Sequence, residues 1–124
     1  MYYYNMSNLT QAEEFRKYIE TEVLKIIKAL AENGKTTKER IQDIAKITLE
    51  LIKPMMTLEE LYQNAVKLDD NHSELAPVVM HIMKEYEQKH EKRVLDQVTQ
   101  LVHNGQYDQA EEAVKKVLQF KIQN

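Results

Sequence analysis

SELAPVVMHIMKEYEQKHEKRVLDQVTQLVHN, residues 73–104, is the stretch on which the fold turns. Apolar residues recur at steps of three and four through Leu75, Val79, Ile82, Met83 and Tyr86, which is the spacing of one helix face. The stripe then stops for a wholly polar run, Glu87 to Arg93, and resumes at Val94, Leu95, Val98, Leu101 and Val102. A helix that loses its apolar face for two turns leaves one packing environment and enters another. The expectation is one long helix whose first half completes a core and whose second half begins a separate hairpin.

The segments before it punctuate themselves. Thr10 with Glu13, Thr36 with Glu39 and Thr57 with Glu60 each match the capping-box pattern, in which a threonine hydroxyl accepts the N3 amide and the glutamate returns to the cap. They predict helix starts at Thr10, Thr36 and Thr57. Asn33-Gly34 ends the first helix and Pro54 the second, which is expected to reach Lys53. The third helix carries Leu58, Leu61, Tyr62, Ala65 and Leu68, and Ser73 is expected to cap the long fourth. Ile41, Ile44, Ala45, Ile47, Thr48, Leu49, Leu51 and Ile52 spread over more than half of the second helix, which predicts a central position or one shared with another chain.

Only two glycines and two prolines occur in 124 residues, so β-turns are scarce and the class is all-α. The expected architecture is a bundle of about five helices with a long fourth helix and a C-terminal antiparallel helical hairpin. In domain terms, residues 1–9 form an N-terminal tail and 10–124 a single helical domain, with a core over 10–86 and the hairpin over 94–122. The tail carries Tyr2, Tyr3 and Tyr4, either an aromatic anchor or a frayed end folded on its own bundle.

Gly105-Gln106-Tyr107-Asp108-Gln109-Ala110, followed by Ala113, Val114, Val117 and Leu118, resembles the turn and second helix of a tetratricopeptide repeat over about twenty residues. That family stacks paired helices and binds peptides or proteins on a concave face. This chain has one copy, with Gln97-Val98 in place of the usual Leu-Gly pair and Val117 in place of a small residue. The resemblance therefore supports a tight-turned hairpin rather than a repeat array.

Chemistry-bearing motifs are sparse. The chain has no cysteine, which removes disulfides, thiolate catalysis and cysteine-zinc sites. Glu87-x-x-His90 has di-iron spacing, but such a site needs a second Glu-x-x-His and further glutamates. Asp69-Asp70-Asn71-His72 lacks the glycine and closing glutamate of an EF-hand loop. Ser7 and Ser73 are the only serines, and neither lies in an elbow motif. No catalytic, cofactor or metal residues are assigned, and the chain is expected not to be an enzyme.

Net charge is −3, against whole-surface nucleic-acid binding. Residues 34–56 carry five Lys/Arg and three Asp/Glu, a balance of +2, and residues 57–86 carry two and six, a balance of −4. These neighbouring segments are of a sign to attract each other. No basic leader or continuous apolar run is present, since Lys25 and Lys28 interrupt Val23 to Ala31, so a cytoplasmic chain without a membrane span is expected.

A hairpin of Val94 to Leu118 has two apolar stripes that it cannot bury alone. The leading functional expectation is a non-enzymatic interaction or assembly module, a homodimer or a protein binder, that associates through helix two and the hairpin residues Val94, Val98, Leu101, Val102, Tyr107, Val114, Val117 and Leu118. The alternative is a nucleic-acid-binding accessory protein with a basic corner at Lys25, Lys28, Lys35, Lys38 and Arg40.

Overall fold

The computed structural model describes the backbone of residues 2–123 and the side chains of residues 10–119. Five helices follow one another: α1 Tyr2–Asn33, α2 Lys38–Leu51, α3 Leu58–Ala65, α4 Ala76–His103 and α5 Tyr107–Gln123, with a single 3-10 turn, Ser73–Leu75, leading into α4. The all-α class, the long fourth helix and the C-terminal hairpin are as the periodicity predicts. The chain divides into two compact units, 1–83 and 84–124, and the division falls inside α4.

In the first unit α1 packs on α2, α3 and the 3-10 turn. Its Ala12, Phe15, Ile19 and Val23 are buried at steps of three, four and four, so one stripe enters the core while Leu24 on the opposite side stays exposed. Ile44 and Ile52, with Leu58, Leu61, Ala65 and Leu68, close over that stripe, and Leu75, Val78, Val79 and Ile82 complete the buried set of this unit. The one buried polar side chain among the described residues, Thr48, donates its hydroxyl to the Ile44 carbonyl at 2.8 Å.

Several boundaries differ from those expected. The backbone is helical from Tyr2, so Thr10 lies inside α1 and the tail assigned to residues 1–9 is part of that helix; the tyrosine side chains of that segment lie outside the described residues. No glycine or proline precedes Thr10 to stop the helix, and the Glu13 carboxylate is engaged by Arg16 at 2.6 and 3.3 Å. The cap of α2 is Thr37, one residue after the expected Thr36, and its hydroxyl accepts from the Arg40 amide. With arginine at N3, that cap is a single bond and not a box. Thr57 and Glu60 do form the reciprocal box.

At the other end α2 stops at Leu51, two residues before Lys53, because the residue ahead of Pro54 is disfavoured in the helical region. The freed Leu51 carbonyl accepts from Asn64 of α3 at 2.9 Å. α3 ends at Ala65, and the chain tightens into i→i+3 bonds, Lys67 to Asn64 and Leu68 to Ala65, that still bury Leu68. Ser73 is not the cap of the long helix: it opens the 3-10 turn, whose preceding residue His72 makes no side-chain cap. Nor is α2 central. Only Ile44 and Thr48 of it are buried, and Leu49 is 73% exposed.

The opposite charges of the two neighbouring segments meet at Arg40 and Glu74. Arg40 of α2 donates through Nε and Nη2 to both oxygens of Glu74, each at 2.9 Å, and through Nη2 to the Asn71 carbonyl. This fork fastens α2 to the loop before α4. The Arg40 hydrogen bonds, helped by the backbone amide of Glu74, pull that carboxyl from its ordinary 4.5 down to about 2. A carboxylate whose folded pKa is depressed contributes stability that is full above its unfolded value and is lost as pH falls through the folded one. Glu74→Gln is therefore expected to lower the melting temperature by a few degrees at neutral pH. The gap between parent and variant should close as pH falls from about 4.5 towards 2; a gap independent of pH would show that the fork is not its source.

One backbone position is strained. Met55 follows Pro54 with φ 70°, in a left-handed conformation that costs a side-chain-bearing residue of order 1 kcal/mol, and it is 78% exposed. Met55→Gly should raise stability by about 0.5 kcal/mol, the strain relieved being partly offset by the wider unfolded ensemble of glycine. Urea unfolding midpoints measure it, and a destabilised glycine variant would mean that the methionine side chain holds the turn.

Candidate interaction surface on the C-terminal hairpin

The second unit is a hairpin made from the later part of α4 and from α5. Its turn is a Schellman motif: the Gly105 amide donates to the Val102 carbonyl at 3.0 Å and the Gln106 amide to the Leu101 carbonyl at 2.8 Å. Gly105 has φ 76°, which a side chain resists, and α5 starts two residues later. A turn this short obliges the two helices to run antiparallel side by side.

Where the polar run interrupts the stripe, packing thins. Tyr86 is buried, and from Glu87 to Gln109 no residue is buried. His90 is half-buried and stacked on Tyr86, with ring centroids 6.0 Å apart and planes 8° from parallel. Arg93 Nη2 lies 3.4 Å from His90 Nδ1, and Lys89 pairs with Glu85 at 3.5 Å. These contacts run along a single helix. Among the described residues no group of three or more His, Cys, Asp or Glu side chains able to hold a metal ion occurs.

Beyond Tyr86, only Ala110 and Val117 are buried among the described residues. Of the eight hairpin residues singled out by sequence, Val117 is thus an internal contact of the hairpin, and Val94, Val98 and Leu101 are half-buried. Val102, Tyr107, Val114 and Leu118 are exposed, joined by Leu95, which the interface set omitted although it lies on the same stripe. The exposures of these five run from 40% to 66%.

The hairpin has two different sides. On one, a shallow groove of about 130 Å³ is lined by Glu91, Val94, Leu95, Val114, Val117 and Leu118, so the exposed leucines of the two helices share one wall-and-floor arrangement. At 100° per residue, Val98 and Val102 continue the Leu95 row, and Tyr107 continues the row of Val114 and Leu118. On the other side, a wider cleft of about 520 Å³ has Val94 and Ala113 at its base and is otherwise lined by polar side chains, among them His90, Gln97, Asp108, Glu112 and Lys116. The first groove is lined chiefly by apolar side chains, the second by polar side chains around Val94 and Ala113.

The basic corner is dispersed. Arg40 is committed to Glu74 and Asn71, Lys25 pairs with Glu22 at 3.3 Å and Lys28 with Glu32 at 4.0 Å, while Lys35 and Lys38 stand exposed around the turn after α1. Carboxylates beside three of the five cations weaken their attraction for phosphate. No helix among the described residues is long and apolar enough to cross a membrane. Comparisons with protein families, with curated proteins and with solved structures give no match to this chain.

Proposed function

We propose that this protein is a non-enzymatic assembly module that associates with itself through the apolar side of its C-terminal hairpin. The observation that carries the reading is the row of Leu95, Val102, Tyr107, Val114 and Leu118, all exposed on a unit with, among the described residues, two buried beyond Tyr86. The largest apolar patch on a protein surface is often a site of interaction. Helix two, the other surface named for association, contributes less, because its largest exposed apolar side chain is the single Leu49. A cytoplasmic setting rests on the cysteine-free composition.

The test is the mass of the full chain by light scattering across a hundredfold range of concentration. A mass of twice 14.7 kDa that falls on dilution is expected. A constant mass of one chain would overturn the reading. Binding of nucleic acid by the basic corner, the alternative, is favoured by no contact in the structure and would show as a mobility shift that weakens steeply with salt.

A further inference from the structure

We propose that Asn33 is a site of self-catalysed modification: the Gly34 backbone nitrogen attacks the Asn33 side-chain amide and converts it to an acid, faster in the folded chain than the same reaction at Asn104. Asn-Gly occurs at both places, each time at the C-terminal end of a long helix. Both glycines are left-handed, with φ 69° at Gly34 and 76° at Gly105. Apart from the adjoining residues, nothing lies within 4 Å of the place of a Cβ at either. Local sequence, backbone conformation and crowding are thus matched at the two turns, and the hydrogen bonds differ.

At Gly105 the Schellman pair holds the attacking nitrogen. Its N–H is donated to the Val102 carbonyl at 3.0 Å, and the next amide, that of Gln106, to the Leu101 carbonyl. At Gly34 the turn closes through a side chain instead. The Lys35 amide donates to Asn33 Oδ1 at 2.8 Å, an Asx turn that folds the carboxamide back over the Gly34 peptide. The same bond polarises the carbonyl under attack, because a donor at that oxygen stabilises the negative charge it takes up. Asn33, Gly34 and Lys35 are all exposed, so water reaches the turn.

In the reaction the Gly34 nitrogen gives its proton to hydroxide and bonds to Asn33 Cγ. The Cγ–Nδ2 bond then breaks, and the departing nitrogen takes a proton from water and leaves as ammonia. Water opens the resulting cyclic imide at either carbonyl, which yields aspartate or isoaspartate. Either product sets a negative charge at the C-terminal end of α1, where the helix dipole disfavours it. Isoaspartate also lengthens the link to α2 by one backbone carbon.

The test is to hold the full-length chain in mildly alkaline buffer, digest it with trypsin and follow the masses of the peptides that carry each asparagine. Conversion at Asn33 severalfold faster than at Asn104 is expected, and in urea the two rates should converge. Lys35→Pro removes the donor and leaves the Gly34 nitrogen in place, in a position where proline is common after a helix. It should slow conversion at Asn33 and leave Asn104 unchanged. Asn104 keeping pace with Asn33 in the folded chain, a difference that survives in urea, or a Lys35→Pro rate equal to that of the parent would overturn the assignment.

Discussion

Phe15→Ala is expected to cost about 3–5 kcal/mol, the usual range for emptying a fully buried aromatic position. Phe15 has no exposed surface and sits in the middle of the α1 stripe, on the helix that packs on α2, α3 and the turn before α4. Removing its ring leaves a void that rigid helices close only in part. Because domains of this size hold roughly 5–15 kcal/mol in all, the first unit should become marginal at physiological temperature. Urea unfolding followed by circular dichroism measures the change. Leu24→Ala, on the outward side of the same helix, serves as the control and should stay within about 0.5 kcal/mol. Equal losses at both sites would mean that α1 is not oriented as described.

The second large effect is on association. Leu118→Glu is expected to weaken self-association at least tenfold, since a carboxylate would be taken out of water against apolar side chains. In the single chain Leu118 is 55% exposed, so helix content and unfolding midpoint should hardly move. Val117→Glu is the informative opposite. Its side chain is buried inside the hairpin, and a charge there should melt the hairpin itself. Mass by light scattering and ellipticity at 222 nm, taken together, separate the two outcomes.

Helix identity was legible because the apolar spacing is periodic, and the break at Glu87 to Arg93 marked the region where burial ends after Tyr86. Boundaries were less so. Thr10 and Thr57 have the same local pattern, and only the context differs: Thr57 follows Pro54 and a left-handed Met55, whereas residues upstream of Thr10 offer nothing that stops a helix. The sequence of α2 overstated its burial, because a wide apolar arc tells how much a helix is able to bury and not how many neighbours it has. Leu95 was within reach, since it shares a row with Val98 and Val102. Which side of the hairpin each residue occupies was not, because that depends on the rotation of two helices about each other and requires the Gly105 turn to be in place.

The most direct single measurement is a concentration series of methyl resonances in the full-length chain. Signals of Leu95, Val102, Val114 and Leu118 are expected to move together as concentration rises, while that of Leu49 on α2 stays fixed. Spectra that do not change with concentration, or changes confined to Leu49 and its neighbours on α2, would contradict assembly through the apolar side of the hairpin.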